Sequence, residues 1–268
     1  MKRAFIDTPN GQMCYIYAGS GKPLVMFHQS SFYSFEYERV IPILANKFRV
    51  IAPDTLGYGY SDPAPRDWKF QDFVRSQVQF MDALGIEHAH LVGHHTGALI
   101  AAELAISFPD KVDKLVLSGC AVYEPATRED YYRKQLALPP EGPLPPVEDG
   151  SHAIRMWKMQ RRENPDSPVE NIHRAMIANF LHYEKKGGDA FTALLGYDIE
   201  PRLPLIRKPT LVIAGSKDVI QPPLFKPPET PAKLIPGAKY KVIEGGAILI
   251  AYEMPEEFAA AILEFLGN

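Results

Sequence analysis

The fold of this chain is decided by one stretch near its middle, Leu91-Val92-Gly93-His94-His95-Thr96-Gly97-Ala98. An apolar run over residues 89–92 leads into this stretch, and a run with helical character over residues 97–108 leads out of it. The first run is too short for a helix, so it is predicted to be a buried strand. Small residues on both sides of the turn let a strand and a helix approach each other closely. We therefore predict a sharp strand–turn–helix junction with His95 at its apex.

The alternation of strand and helix continues on both sides of this junction. Strands are predicted over residues 3–7, 13–17, 23–28, 48–54, 89–92, 114–118, 209–214 and 239–243, and helices over residues 72–84, 97–108 and 255–266. The first two strands are joined through Asn10-Gly11, a strong signal for a hairpin turn. Strands that alternate with helices indicate a mostly parallel sheet with helices on both faces.

The pattern changes between residues 122 and 205, where helical runs replace the strands. Helices are predicted over residues 129–138, 151–163 and 169–186, in a segment rich in aromatic residues, methionine and charge. Insertions at the carboxyl ends of parallel strands lie at the edge where such folds bind ligands. We expect a single domain with a core of residues 1–121 and 206–268 and a helical cap, residues 122–205, that roofs a substrate pocket. The alternative is that these helices only complete the core.

Four motifs, in order along nearly the whole chain, resemble those of the α/β-hydrolase family. Residues 54–62 resemble the family's D-x-x-G-x-G-x-S turn, and residues 91–98 resemble its G-x-nucleophile-x-G elbow. Residues 211–218 resemble the loop that carries the catalytic acid, and residues 243–258 resemble the segment that carries the catalytic histidine. The resemblance is to the capped members, which include esterases, dehalogenases and epoxide hydrolases. It implies an α/β-hydrolase fold, with a mostly parallel twisted sheet, helices on both faces and a helical cap insertion.

The chain departs from this family at the residues that carry the chemistry. The elbow apex, normally Ser, Asp or Cys, is His95, and the position of the catalytic histidine falls on Ile248. Only the acid, Asp218, matches, so a Ser-His-Asp triad cannot be assembled at these positions. The oxyanion strand is also altered, because the family's H-G-x-P is here His28-Gln29-Ser30-Ser31.

These losses suggest one hypothesis, in which the His95 imidazole points toward Asp218 and forms a His–Asp dyad. A carboxylate at that position would fix the tautomer, raise the imidazole pKa and make His95 a general base. The resemblance implies that the backbone N–H groups of Thr96 and Ser30 hold a developing oxyanion, with His28 and Gln29 on the opposite wall. Direct attack by His95 is chemically possible, but it leaves no separate base for the second step.

Six further residues are candidates for the pocket: His94, Cys120, Glu124, Trp157, His182 and Ile248. His94 is expected to pack behind the apex, and Cys120 is expected to be a small buried residue, although either could line the cleft. Glu124 stands near a position where some family members place an alternative acid, and His182 is the best histidine candidate in the cap. We expect no metal site, because no ligand-spacing motif is present.

Composition restricts the partners of this protein. The 268 residues carry a formal net charge of -3 and are 46% hydrophobic, which favours neither nucleic acid nor an anionic membrane surface. Two widely separated cysteines, Cys14 and Cys120, fit reduced thiols in a cytoplasmic protein. We expect a small apolar or aromatic substrate and no cofactor. The oligomeric state is left open, and a homodimer would be unsurprising.

Three functions are compatible with these residues. The first is hydrolysis of an ester, lactone or related small carbonyl compound, with His95 and Asp218 as the general base. The second is a small-molecule binding protein that keeps the pocket without chemistry. The third is a cofactor-free oxygenase or a lyase that uses the same base. Fold alone does not choose among them.

Overall fold

An eight-stranded sheet forms the centre of the protein in the computed structural model, which describes residues 1–137, 145–185, 187–219 and 224–267. The strands are β1 (Lys2–Thr8), β2 (Gly11–Ala18), β3 (Pro23–Phe27), β4 (Arg49–Pro53), β5 (Ala89–His94), β6 (Val112–Ser118), β7 (Thr210–Gly215) and β8 (Lys239–Ile243). They lie in the order β1-β2-β4-β3-β5-β6-β7-β8. β2 pairs antiparallel with β1 and β4, and the other neighbours are parallel. This order confirms the predicted hairpin and the mostly parallel sheet.

Helices connect the strands and cover both faces of the sheet. They are α1 (Ile41–Leu44), α2 (Phe70–Ala83), α3 (Thr96–Ser107), α4 (Pro125–Leu136), α5 (Ser151–Glu163), α6 (Val169–Glu184), α7 (Ala190–Leu195), α8 (Thr230–Leu234), α9 (Ile250–Glu253) and α10 (Pro255–Leu266). Short 3₁₀ turns occupy Ser34–Tyr37, Pro109–Lys111 and Glu200–Leu205. One apolar cluster lies between the sheet and α2 and α3, and a second lies between the sheet and α1, α9 and α10.

The helices of residues 122–205 differ in two ways from their prediction. α4 begins at Pro125 rather than at residue 129, because proline is well suited to the first position of a helix, where its missing N–H costs nothing. α7 was not predicted; the side chain of Asp189 caps it by accepting hydrogen bonds from the N–H groups of Phe191 and Thr192. Residues 138 and 186, the predicted ends of two helices, lie outside the described residues.

Two glycines explain how closely α3 approaches the sheet. A Cβ atom on Gly97 would lie 2.0 Å from the carbonyl oxygen of Phe27, and one on Gly93 would lie 2.2 Å from the carbonyl oxygen of Gly97. Any larger residue at either position would push α3 away from β3 and β5. The small residues of the elbow therefore set the distance between helix and sheet, as predicted.

The carboxyl ends of four parallel strands bring the chemistry to one edge of the sheet. Residues 28–31 follow β3, His95 follows β5, Gly119 follows β6, and Asp218 follows β7 after a short turn. Since parallel strands end at the same edge, side chains far apart in sequence meet there. Within the described residues, no helix is long and apolar enough to cross a membrane.

Candidate active site

His95 sits at the turn between β5 and α3 in a conformation that side chains rarely adopt. Its backbone angles are φ 47° and ψ -114°. Its N–H donates to the carbonyl oxygen of Ser118 at 2.9 Å, which holds the turn to β6. Such a conformation costs of order 1–3 kcal/mol and persists where the surrounding structure enforces it. This backbone conformation therefore lowers the stability of the fold, and it places the His95 imidazole at the edge of the sheet.

The imidazole of His95 reaches Asp218. The distance from His95 Nε2 to Asp218 Oδ2 is 3.0 Å, and the two side chains are 15% and 4% exposed. A carboxylate accepts hydrogen bonds, so Nε2 carries the proton and donates it to Asp218. Nδ1 is then the ring nitrogen with a lone pair. The structure thus brings together the two residues of the predicted dyad and defines which nitrogen would act as the base.

Gly119 provides the space for this ring. A Cβ atom on Gly119 would lie 2.5 Å from Cδ2 and 2.8 Å from Nε2 of His95. No side chain other than hydrogen fits at that position without moving the imidazole. The long side chain at the elbow and the glycine after β6 are therefore complementary.

The pKa of His95 lies above its ordinary value. Burial alone would lower the pKa, but the negative charge of Asp218 and its hydrogen bond outweigh this effect. The imidazolium form is stabilised by the carboxylate, so a proton taken up by His95 is held more strongly than on an ordinary imidazole. This behaviour suits a general base.

A cavity of about 670 Å³ lies above the dyad. The core contributes His95, Thr96, Ser30, Gln29 and Ile248 to its wall. The segment of residues 122–205 contributes another wall, whose polar members are Gln160, Glu163, Asn179, His182, Tyr183 and Asp189, with Met159 beside them. Apolar and aromatic residues line the rest, among them Leu99, Ala121, Tyr123, Tyr131, Leu194 and Phe225. This volume is within the range of sites that hold small organic ligands.

Ser30 and Thr96 lie together beside His95, where the resemblance implies an oxyanion site. Their hydroxyl oxygens are 2.7 Å apart, and both residues line the cavity. Thr96 is the first residue of α3, and the N–H groups of a helix's first turn have no partner within the helix. The positive end of the helix dipole favours negative charge at the same place. An oxyanion at this position would therefore be stabilised.

A buried polar network, which the sequence did not reveal, lies beneath the dyad. Glu36 is fully buried, and its carboxylate accepts hydrogen bonds from the backbone N–H of Gln29 at 2.9 Å and from Gln29 Nε2 at 3.0 Å. Gln29 Nε2 also donates to the carbonyl oxygen of Ile248 at 3.1 Å, and His94 Nε2 donates to the same oxygen at 3.0 Å. The backbone of Ile248 is thus held by two side chains.

Burial controls the charges in this network. Burial raises the pKa of Glu36 to about 8, although hydrogen bonds from Gln29 and the charge of His95 act to lower it. It lowers the pKa of His94 to about 3, an effect to which the charge of His95 adds. His94 is therefore neutral, with Nδ1 accepting from the hydroxyl of Ser118 at 2.9 Å. The only local sign of Glu36 in the sequence is a single acid within the aromatic run of residues 32–37.

Two of the histidines proposed for the pocket lie beneath its wall. His28 is 3% exposed. Its Nε2 accepts a hydrogen bond from the Thr55 N–H at 2.9 Å, and its Nδ1 donates to the carbonyl oxygen of Gln29 at 2.7 Å. It therefore orders the loop after β4 and does not line the opposite wall, contrary to expectation. His94 has no exposed surface and packs behind the apex, so the pocket position proposed for it is wrong. Burial lowers the pKa of His28.

Three other pocket candidates are also displaced from the cavity wall. Cys120 lines a separate small cavity beside Asp218, and burial raises its thiol pKa to about 12, so it is unreactive. Glu124 is not one of the described residues that line the cavity, whereas its neighbour Tyr123 is. Trp157 lies beside Arg161, since the helical phase of α5 turns Met159 and Glu163 toward the cavity instead. His182 and Ile248 line the cavity.

Three ionisable residues near the cavity were not predicted from the sequence. Glu163 ends α5, lines the cavity and has a pKa raised by burial. Asp189 lines the cavity and accepts a hydrogen bond of 2.5 Å from the hydroxyl of Tyr58. Tyr58 belongs to the turn after β4. The motif of that turn is defined by its glycines and does not specify the side chain at position 58. No group of three or more His, Cys, Asp or Glu within the described ranges could hold a metal ion.

Comparison with known proteins identifies the family of this chain. A family model of the α/β hydrolase fold matches residues 21–253, so the chain belongs to the α/β-hydrolase family. Haloalkane dehalogenase 2 of Mycobacterium tuberculosis strain H37Rv is 26% identical over 277 residues, 98% of this chain and 94% of that protein. The 2-hydroxymuconate semialdehyde hydrolase of Pseudomonas sp. strain CF600 is 44% identical over 108 residues, 39% of this chain and 38% of that protein. These relatives are hydrolases.

Solved structures show the same architecture. A thermophilic esterase from Thermogutta terrifontis has a TM-score of 0.79 and is 25% identical, with 100% of this chain and 98% of that chain covered. An enol-lactonase from Burkholderia xenovorans LB400 has a TM-score of 0.77 at 20% identity, with 99% and 100% covered, and supports the fold alone.

Proposed function

We propose that this protein is a cofactor-independent hydrolase of small carbonyl substrates, such as esters or lactones, in which His95 and Asp218 act as a general base. The observation that carries the proposal is the 3.0 Å contact between His95 Nε2 and Asp218 Oδ2, with His95 on the wall of a cavity. Hydrolysis is the chemistry of the family's named relatives, and the apolar part of the wall suits an apolar or aromatic substrate.

The proposed reaction proceeds without a covalent enzyme intermediate. His95 Nδ1 takes a proton from water as the water oxygen adds to the substrate carbonyl, and Asp218 stabilises the resulting imidazolium. The backbone N–H groups of Thr96 and Ser30 stabilise the oxyanion of the tetrahedral intermediate. Collapse of this intermediate expels the alcohol and leaves the acid. The elbow apex, His95, offers no hydroxyl, thiol or carboxylate, so a water molecule is the nucleophile in this proposal.

The test compares wild type, His95→Ala and Asp218→Asn on a panel of esters and lactones across pH. In the wild type, kcat/KM rises with pH as His95 loses its proton, with a midpoint above the ordinary value of about 6.5 because Asp218 raises the pKa. We expect His95→Ala to lose about 10²- to 10⁴-fold in rate. Asp218→Asn should lower the rate and move the midpoint to lower pH, because the carboxylate that stabilises the imidazolium is gone.

A second histidine–aspartate pair supplies the matched control. His88 Nδ1 lies 2.8 Å from Asp113 Oδ2 on the surface, with the histidine side chain 53% exposed. Variants His88→Ala and Asp113→Asn should keep both rate and pH midpoint. Full activity in His95→Ala would refute the proposed base. Absence of turnover by the wild type, together with thermal stabilisation by the same compounds, would instead favour the ligand-binding protein.

A further inference from the structure

A second histidine–carboxylate pair lines the same cavity from the side of the helices. His182, on α6, and Asp189, at the start of α7, both lie on the cavity wall. His182 Nε2 is 3.6 Å from Asp189 Oδ1, and the histidine side chain is 8% exposed. His95 from the core, and His182 and Asp189 from residues 122–205, therefore face one ligand space.

Neighbouring groups determine which nitrogen of His182 can act. Nδ1 is 2.9 Å from the carbonyl oxygen of Gly57, and only an N–H can donate to a carbonyl, so Nδ1 is protonated. Nε2 is the nitrogen that remains for a ligand, and it lies 3.6 Å from Oδ1 of Asp189. The ring stacks on Tyr58 with centroids 4.2 Å apart and an interplanar angle of 2°, which fixes its orientation.

Asp189 is already held by other groups, which makes it a partner of His182 rather than a ligand for substrate. Its oxygens accept from the Tyr58 hydroxyl at 2.5 Å, from the N–H groups of Phe191 and Thr192 at 3.1 Å each, and from the Thr192 hydroxyl at 2.7 Å. A carboxylate has about four acceptor sites, and these bonds use them. Burial would raise the pKa of Asp189, but the charge of His182 and these hydrogen bonds outweigh it and lower the pKa.

We propose that His182, positioned by Asp189, is the general acid that protonates the leaving group in the reaction for which His95 is the base. The inference rests on the proposed hydrolysis. As the tetrahedral intermediate collapses, the carbon–oxygen bond to the leaving group breaks, and the leaving oxygen takes the proton from His182 Nε2. Water has meanwhile given one proton to His95, so the products are the free acid and the alcohol. Exchange with solvent returns His95 and His182 to their starting states.

Other ionisable groups surround His182 and determine the electrostatic environment of its ring. Asp189 approaches from α7, Tyr58 from the loop after β4, and Tyr183 from the next position of α6. His28 lies on the far side of Tyr58, with ring centroids 5.4 Å apart. Burial raises the pKa of Tyr58 far above its ordinary value and that of Tyr183 to about 12, while burial lowers the pKa of His28. Asp189 is therefore the one charged partner of His182 among these neighbours at neutral pH.

The test exploits the chemistry of the leaving group. A p-nitrophenolate leaves as an anion and needs no acid, whereas an alkoxide from an alkyl ester or lactone must take a proton. His182→Asn keeps a donor near the position of Nδ1 for the Gly57 carbonyl and removes Nε2. We expect this variant to hydrolyse p-nitrophenyl esters within about twofold of wild type. Its rate on the matched alkyl esters should fall about 10²-fold.

The controls separate this proposal from the proposed base and from misfolding. His173→Asn changes an exposed histidine on the same helix and should leave both substrate classes unaffected. An equal loss on both classes in His182→Asn, or an unchanged alkyl-ester rate, would overturn the acid role. His95→Ala should lose both classes, and its failure to do so would refute the base independently of His182. Unfolding temperatures of all variants confirm that they are folded.

Discussion

At the elbow of the sheet, a long side chain occupies the place where the family has a short one, and Gly119 provides the space for it. Replacing Gly119 by Ala puts a methyl group 2.5 Å from Cδ2 and 2.8 Å from Nε2 of His95, which is too close for both to stay in place. We expect the imidazole to move away from Asp218 and kcat/KM to fall by up to about 10²-fold, as for a displacement of about 1 Å at a reacting group. Steady-state kinetics on the ester panel measure this effect.

Gly237→Ala is the matched control for that change. Gly119 and Gly237 have similar left-handed backbone angles, φ 56° and 71°, but no atom lies within 4 Å of the position of a Cβ on Gly237. Both variants carry the backbone cost of alanine at positive φ, about 1–2 kcal/mol. Only Gly119→Ala should lose activity. Equal activities in the two variants would show that Gly119 does not set the position of His95.

The buried carboxyl of Glu36 predicts an unusual dependence of stability on pH. Its pKa is about 8 in the folded protein against 4.5 as the ordinary value, so the folded state binds more protons between these limits. The contribution of Glu36 to the free energy of unfolding therefore falls as pH rises from about 5 to about 8, by at most about 1.4 kcal/mol per pH unit. Glu36→Gln cannot ionise and should lose this slope.

Urea unfolding at pH 5, 6.5 and 8 measures this dependence. The stability of Glu36→Gln relative to wild type should rise with pH, although the variant loses one acceptor for Gln29 at every pH. Glu87→Gln, a change at an exposed glutamate, should follow the wild-type curve. A constant difference between Glu36→Gln and wild type would contradict the raised pKa.

Residues differ in how far their roles could be predicted from sequence. His95 and Asp218 were found because local motifs place them at the ends of particular strands. Glu36 and Asp189 were not, because their importance arises from partners distant in the chain, such as Gln29 for the first and Tyr58 for the second. A buried polar network has no local pattern in a single sequence.

Among the elements, α3 is joined to the end of the segment of residues 122–205 by an ion pair with one buried member. Arg202 donates to both oxygens of Glu103, from Nε at 3.0 Å and from Nη2 at 2.7 Å, and Tyr197 donates to the same carboxylate at 2.6 Å. Glu103 is 2% exposed at its side chain and Arg202 is 35% exposed. The pair therefore has one buried member whose charge needs its partner.

Arg202→Met should lower the free energy of unfolding by about 2 kcal/mol. This is below the usual cost of breaking a buried pair because solvent screens the arginine. Hydrogen bonds from Arg202, Ser107 and Tyr197 outweigh burial and lower the pKa of Glu103, so the pair contributes above the ordinary pKa of 4.5 and is lost as pH falls. A double-mutant cycle with Glu103→Gln measures the coupling, and strict additivity of the two changes would contradict it.

Elements with their own periodicity were predictable, and those that depend on tertiary contacts were not. The apolar strands and α3 satisfy local rules, so their positions followed from sequence. α7 is a six-residue helix stabilised by its Asp189 cap and by burial of Leu194 and Leu195. Trp157 was a pocket candidate from the sequence, yet the face that α5 turns to the cavity depends on how the helix packs.

For the molecule as a whole, the cavity predicts binding that stabilises the folded state. Its volume of about 670 Å³ and mixed wall suit a small apolar or aromatic ligand with one polar group. A non-hydrolysable ester analogue at 100 times its Kd should stabilise the protein by about 2.7 kcal/mol, measured as a rise in Tm. Ala121→Trp, which places a large ring in the cavity, should abolish that rise; an undiminished rise would locate binding elsewhere.

The two hydrogen bonds that hold the carbonyl of Ile248 have an evolutionary consequence. They fix the main chain where the family carries its catalytic histidine, whatever side chain stands there. A route to an ordinary triad therefore needs only His95→Ser and Ile248→His, but the first alone leaves a serine without a base. The second alone adds an imidazole that competes with His95 for Asp218. We expect only the double variant to be labelled by an organophosphonate. Each single change would then give a less active protein, so the two substitutions would have to occur together for this chain to become a serine hydrolase.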